Sequence, residues 1–90
     1  MEFEYDQLKS ELNKSKHGID FEEAQGLWKD SRGLVIPVAH DEEERFVLIS
    51  FFDSKHWTAV FTIREQRIRL ISVRRSRVKE VDLYDNCERI

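Results

Sequence analysis

The chain has 90 residues, of which 40% are hydrophobic, and a formal net charge of −3. A chain of this length folds as one small domain with a modest core, which excludes large multidomain architectures and predicts a single domain over residues 1–90. No apolar stretch reaches the roughly 18 residues of a membrane span, the N-terminus lacks a signal-peptide pattern, and the single Cys87 fits a reducing compartment, so we expect a cytoplasmic protein without a membrane partner.

The first part of the chain predicts a short strand followed by a helix. Apolar and acidic residues alternate over Glu2–Tyr5, as they do in a half-exposed strand. Asp6 is the expected N-cap of a helix that ends just before Gly18, a residue that favours the left-handed conformation found after helix ends. Leu8 and Leu12 are four residues apart, so we expect this helix to bury them.

A second helix is expected to begin at Asp20 and to end near the turn at Asp30–Gly33. Asp20 and Glu23 form an acidic version of the capping box, in which each residue's side chain bonds to the other's backbone N–H. An apolar stripe along this helix predicts that it packs on the core. The stripe consists of Phe21, Ala24, Leu27 and Trp28.

The second half of the chain has the period-two or continuous apolar patterns of strands. Pro37 cannot donate a backbone hydrogen bond, so the strand that contains it is expected at a sheet edge or a strand end. The predicted strands are Leu34–Val38, Phe46–Phe52, Trp57–Ile63 and Arg67–Arg74, and the turns between them are His40–Glu44, Asp53–Lys55 and Glu65–Gln66.

The last element is a short helix that begins near Ser76 as its cap and has a weak apolar edge at Val78, Val81 and Tyr84. The order β-α-α-β-β-β-β-α predicts an α+β fold, with two helices packed on one face of a mostly antiparallel sheet. One short helix cannot cover the opposite face. We therefore expect part of that face to be open to solvent or to a partner.

Positive charge is concentrated in the last two strands. Residues 54–79 contain eight Lys or Arg and one Glu, whereas residues 1–53 contain six Lys or Arg and thirteen acidic residues. The local field rather than the net charge determines where phosphates bind, so this segment predicts a nucleic-acid partner.

The arginines of this segment suit one role in RNA cleavage. Attack by a neighbouring 2′-hydroxyl needs a proton acceptor, a cation beside the phosphate and a proton donor for the leaving oxygen, and it requires no metal or other cofactor. Arg64, Arg69 and Arg74 are candidates for the cation because a guanidinium group binds phosphate oxygens in pairs. Arg69 and Arg74 are five residues apart, so a bulge must intervene if both share a face with Arg64.

Further cations are candidates for proton transfer or RNA binding. His17 is counted with Arg64, Arg69 and Arg74 as a catalytic candidate, and Lys16 and His56 are further candidates for proton transfer. The three histidines do not have the spacing of metal ligands, so no metal site is expected. The candidate RNA-binding residues are Lys16, His56, Arg67, Arg75 and Arg77.

Several short segments together resemble the BrnT family of bacterial type II toxins. The resemblance implies a RelE-like fold, a ribonuclease activity that stops translation, and a BrnA-type antitoxin with a ribbon-helix-helix DNA-binding domain through which the complex would bind operator DNA. The segments are Lys16-His17-Gly18, Phe21-Glu22-Glu23-Ala24, Glu44-Arg45-Phe46, Thr62-Ile63-Arg64, Arg69-Leu70-Ile71-Ser72-Val73-Arg74, Glu80 and Tyr84.

Two alternatives to an active ribonuclease remain open from the sequence. The basic strands could belong to a binding module that holds the antitoxin without cleaving RNA. The chain could also be a degenerate toxin that acts as a co-repressor when it is bound to its antitoxin.

Overall fold

The computed structural model describes residues 2–39 and 43–87, so His40 and the middle of the predicted acidic turn lie outside the described residues. Its elements follow the predicted order and confirm the α+β class. The strands are β1 (Phe3–Glu4), β2 (Leu34–Val38), β3 (Arg45–Phe52), β4 (Lys55–Arg64) and β5 (Arg67–Arg75). The helices are α1 (Gln7–His17), a 3₁₀ helix (Glu23–Lys29) and α2 (Val78–Asn86).

The strands form one mixed sheet in the order β1-β5-β4-β3-β2. β1 runs parallel to β5, and the other neighbours are antiparallel. β2 lies at an edge, as Pro37 predicts. Within residues 2–39 and 43–87, none of the helices has the length and hydrophobicity that a membrane span requires.

The main core lies between one face of the sheet and the elements that cover it, α1 and the 3₁₀ helix. Helix α2 packs on the opposite face of the sheet. We call these the helical face and the α2 face. Alternate residues of β3, β4 and β5 point into the core, where they meet the chain that follows α1. The buried core residues are Ile19, Phe21, Ala24, Leu27, Leu48, Trp57, Ala59, Phe61, Ile68, Leu70 and Val73.

The predicted reciprocal bonds between Asp20 and Glu23 form just before the 3₁₀ helix, which begins at Glu23 rather than at Asp20 and whose N-cap, Glu22, makes no side-chain cap bond. The Asp20 backbone N–H donates to Glu23 Oε1 at 3.0 Å, and the Glu23 N–H donates to Asp20 Oδ1 at 2.8 Å. Phe21, Ala24 and Leu27 are fully buried and three residues apart. Three residues per turn place Ala24 and Leu27, which lie within the 3₁₀ helix, in one row on its buried side.

Helix α1 is rotated relative to the sequence prediction, which was wrong about its buried side. Leu8 and Leu12 are 71% and 65% exposed, whereas Ser10 and Asn13 are buried. Ser10 Oγ accepts a hydrogen bond from the Phe21 backbone N–H at 2.9 Å. The buried side of α1 therefore contacts the rest of the protein through hydrogen bonds to backbone groups, and its leucines point to solvent.

Asn13 makes the most extensive of these contacts. Its Nδ2 donates to the carbonyl oxygens of Val73 at 2.9 Å and Ile19 at 2.8 Å, and its Oδ1 accepts from the Val73 N–H at 3.1 Å. β1 pairs with β5 only at Ile68 and Arg69, so Val73 has no neighbouring strand on that side. The amide of Asn13 takes the place of a peptide group at this edge.

Helix α2 begins one residue later than predicted. Arg77 rather than Ser76 is the N-cap, and its backbone N–H donates to the Glu80 carboxylate at 2.8 Å. Ser76 is not the cap because its hydroxyl shares a hydrogen bond of 2.8 Å with the buried Thr58.

We expect Asn13→Ala to lower the free energy of unfolding by about 2–4 kcal/mol, because two buried backbone groups of Val73 lose their partner. Leu12→Ala is the matched control on the same helix and should change this value by less than about 0.5 kcal/mol, because Leu12 is mostly exposed. Urea unfolding followed by circular dichroism measures both. A larger loss for Leu12→Ala than for Asn13→Ala would contradict the orientation of α1.

Candidate functional site

A β-bulge interrupts the pairing of β4 with β5. Val60 is paired with Ser72, but the next residue, Phe61, is paired with Leu70, so Ile71 is an extra residue on β5. An extra residue reverses the alternation of side chains beyond it. Two residues of β5 on opposite sides of Ile71 therefore share a face when their residue numbers differ by an odd number.

The bulge places the predicted arginines on one face of the sheet. Arg69 is paired with Thr62 and Arg74 with Thr58, and Arg64 lies two residues beyond Thr62 on the same side of β4. The bulge required by the sequence is thus present. We call the α2-face set formed by Arg64, Arg67, Arg69 and Arg74 the arginine face.

Arg64 and Arg67 are paired directly across the end of the β4–β5 hairpin. Like charges at such positions repel each other. Each has a distant carboxylate partner, Glu43 at 4.0 Å from Arg64 and Glu2 at 3.8 Å from Arg67, and both arginine side chains are about half exposed. Exposed ion pairs of this kind contribute little, so these two guanidinium groups remain accessible to a phosphate.

Arg69 is held more firmly than its neighbours at the hairpin end. Its Nη1 donates to Glu4 Oε2 at 3.4 Å, and about 30% of each side chain is exposed. Glu4 is paired with Arg69 in the sheet register, so the short strand β1 fixes the carboxylate beside this arginine. The pair limits the directions in which the Arg69 side chain can point.

Arg74, at the other end of the arginine face, is bound to helix α2. Its Nη1 and Nη2 donate to the two carboxylate oxygens of Glu80 at 2.7 and 2.8 Å. Glu80 also accepts from the Arg77 N–H and from Thr58 Oγ1. Chiefly because of the bond from Arg74, the pKa of Glu80 is lowered from 4.5 to about 2, and the same bond raises the pKa of Arg74.

One cation of this surface was not among the predicted site residues. Arg45 begins β3 on the α2 face, because the next residue, Phe46, points to the core and stacks on Phe61. Arg45 Nε lies 3.4 Å from Glu43, the same carboxylate that faces Arg64. The Glu44-Arg45-Phe46 segment contributes to the family resemblance, and an inward Phe46 is the signal that predicts the direction of Arg45.

His56 lies on the α2 face, at the end of the sheet that α2 covers. Its ring packs against Phe51 and Tyr84 with ring centroids 4.9 and 5.0 Å away, and Tyr84 donates a hydrogen bond to Asp30 at 2.7 Å. Eight residues of β4 separate His56 from Arg64, which corresponds to roughly 26 Å along a strand. One phosphate group cannot contact both residues in this arrangement.

The remaining candidates lie away from the arginine face. His17, Lys55, Trp57 and Arg75 line a small pocket on the helical face, where the Arg75 guanidinium lies over the Trp57 ring at 5.7 Å. Lys16 is exposed in the last turn of α1, and Arg77 is exposed before α2. Within residues 2–39 and 43–87, no group of three or more His, Cys, Asp or Glu could hold a metal ion.

We expect Glu80→Gln to lower the free energy of unfolding by about 1.5–3 kcal/mol at neutral pH, because it removes the charge-assisted bonds that join α2 to the sheet. Since folding depresses the pKa of Glu80, its contribution is complete above about pH 4.5 and is lost as the pH falls toward 2. The difference from wild type should therefore shrink in acid. Asp82→Asn, on the exposed side of α2, is the control, and an equal deficit at pH 3 and pH 7 would contradict the assignment.

A comparison with protein families adds evidence from outside the geometry. The profile of a family described as "Ribonuclease toxin, BrnT, of type II toxin-antitoxin system" matches residues 5–80. A comparison with curated proteins finds no significant match. The matched range includes all four residues of the arginine face and Glu80, the partner of Arg74. The chain therefore belongs to the BrnT family of ribonuclease toxins of type II toxin-antitoxin systems.

Proposed function

We propose that this chain is a metal-independent endoribonuclease with a RelE-like fold that arrests translation and growth, and that a BrnA-like ribbon-helix-helix antitoxin neutralises it. The family supplies the class, a ribonuclease toxin with an antitoxin partner. The observation that carries the proposal further is the register of the β4–β5 hairpin, because it places Arg64, Arg67 and Arg69 together on an accessible part of the sheet.

The proposed reaction is attack of a 2′-hydroxyl on the adjacent phosphate. The oxygen forms a new bond to phosphorus, its proton passes to a base, and the bond to the 5′-oxygen breaks as that oxygen gains a proton. Negative charge grows on the phosphate oxygens during this step. Arg64, Arg67 and Arg69 approach one phosphate from two strands and stabilise that charge.

Proton transfer at this end of the sheet falls to the carboxylates between the arginines. Glu43 lies beside both Arg45 and Arg64, and Glu4 lies beside Arg69. An ionised carboxylate at hydrogen-bond distance from a 2′-hydroxyl can accept its proton. In this proposal His56, packed against Tyr84, and His17, on the helical face, bind RNA away from the scissile phosphate.

Arg74 has a different role in the proposal from Arg64. Both of its terminal nitrogen atoms are used by Glu80, and the low pKa of Glu80 keeps this pair charged at neutral pH. Arg74 therefore positions α2 rather than the phosphate. The remaining candidates, Lys16, Arg75 and Arg77, would contact flanking nucleotides.

A binding module without catalysis is the second candidate, and the ion pairs are the observation in its favour. Each residue of the arginine face has a carboxylate within 4.0 Å, as expected for arginines that serve only to stabilise the surface. Such a module would hold the antitoxin and assist operator binding as a co-repressor. Loss of the Arg64 side chain would then leave RNA intact in both the variant and the wild type.

We expect Arg64→Ala to reduce the rate of RNA cleavage by about 10²–10³-fold, because one cation beside the reacting phosphate is lost. Lys9→Ala, which removes one exposed positive charge from α1, should cleave RNA at close to the wild-type rate. Growth after induction, with gel analysis of total RNA, measures the effect in cells. Cleavage by purified protein measures it directly.

The outcomes separate the candidates. Arrest and cleavage that vanish in Arg64→Ala but persist in Lys9→Ala support the ribonuclease. A folded wild-type protein that causes neither arrest nor cleavage indicates the binding module or a degenerate toxin. Equal cleavage by all three proteins would remove Arg64 from the proposed site.

Cleavage should also continue at an unchanged rate in excess EDTA, because side chains supply every group that the 2′-hydroxyl mechanism needs. The assay uses a short labelled RNA and purified protein, dialysed against chelator before the reaction. A rate that falls more than about tenfold and returns with added Mg²⁺ would contradict metal independence.

A further inference from the structure

An apolar groove crosses the helical face at the hairpin end of the sheet. Its volume is about 340 Å³, and it opens beside Arg67 in the β4–β5 hairpin. We call it the Trp28 groove. It is lined by Trp28, Val35, Phe46, Phe61, Ile63 and Ile68.

The Trp28 groove exists because the helical face is incompletely covered. The 3₁₀ helix ends at Lys29, so it covers the middle of the sheet but not this end. Val35 and Ile63 point to the helical face and are 50% and 55% exposed. The Trp28 ring forms a firm wall because it packs edge-on against both Phe3 and Phe61.

We propose that the Trp28 groove binds an amphipathic helix of the antitoxin. The apolar side chains of that helix pack against Val35 and Ile63, and its acidic side chains point toward the neighbouring cations. This inference rests on the antitoxin partner of the proposed function. It goes further because it assigns the binding surface and the chemistry of the segment that fills it.

The dimensions of the groove fit two to three turns of helix. It spans four neighbouring strands, from Val35 on β2 to Ile68 on β5. Three strand spacings of about 4.8 Å amount to roughly 14 Å. At 1.5 Å per residue, a helix of about nine or ten residues covers this length with one apolar stripe.

Charge around the groove selects an acidic partner. Among the described residues that line it, Arg67 is the charged one, and the exposed Lys29 follows Trp28. The present partner of Arg67 is Glu2, which is 3.8 Å away and mostly exposed, so a carboxylate of the antitoxin can replace it. A second copy of this chain fits less well, because a two-fold contact through the groove would bring these cations against their own copies.

Occupation of the groove also accounts for inhibition. Arg64 and Arg67 lie at the tip of the hairpin, where the Trp28 groove meets the arginine face. A helix whose acidic side chains draw these guanidinium groups toward the groove removes them from the phosphate site. The antitoxin then blocks RNA binding without covering the whole arginine face.

The test measures antitoxin affinity and RNA cleavage separately. The probe is the purified cognate antitoxin, titrated calorimetrically into wild type, Val35→Glu and Ile63→Glu. Each added carboxylate lies in the groove and opposes the acidic helix, so we expect Kd to rise about tenfold or more. Both residues are half exposed, so both variants should fold, which thermal unfolding checks.

Val78→Glu on α2 and Leu8→Glu on α1 are the matched controls, because both residues are highly exposed and lie outside the groove. We expect wild-type Kd for both and wild-type RNA cleavage for Val35→Glu. Affinities of the groove variants within twofold of wild type, or an equal loss in Leu8→Glu or Val78→Glu, would overturn the inference. Absence of cleavage by the wild type would count against the proposed function alone, because the affinities are measured without RNA.

Discussion

The extra residue at Ile71 is the constraint on which the rest of the arrangement depends. Before it, β5 directs Ile68 and Leu70 into the core, and after it Val73 takes the same direction. A regular strand with this sequence would turn either the first pair or Val73 to the other face. The bulge thus directs Val73 into the core and Arg74 to the arginine face at once, because both directions depend on the same reversal of side-chain alternation.

The arginine face shows how a small acidic domain keeps cations close together. Each arginine has its own carboxylate partner, and the shortest ion pair, Arg74–Glu80, is also the most buried. The bidentate Arg74–Glu80 pair joins a helix to the sheet, whereas the distant pairs of Arg64 and Arg67 leave both side chains about half exposed. One end of the face is therefore structural and the other is available.

The sequence predicts the element order because hydrophobic periodicity is a local pattern. It also predicts the edge position of β2 from Pro37 and the reciprocal bonds between Asp20 and Glu23, because both depend on local chemistry. It does not predict that α1 buries Asn13 instead of its leucines, since this depends on the unpaired edge of β5 far along the chain. Likewise, the separation of Arg69 and Arg74 indicates that a bulge is needed but not that Glu80 occupies Arg74.

Asn13 has a consequence for how this protein can assemble. A sheet grows by accepting a further strand, which needs a row of free N–H and C=O groups. On β5, β1 and the Asn13 amide already occupy such groups, and on β2 Pro37 has no N–H to offer. Both borders of the sheet thus lack part of the row of backbone groups that strand addition requires, which favours the two broad faces as surfaces for partner proteins.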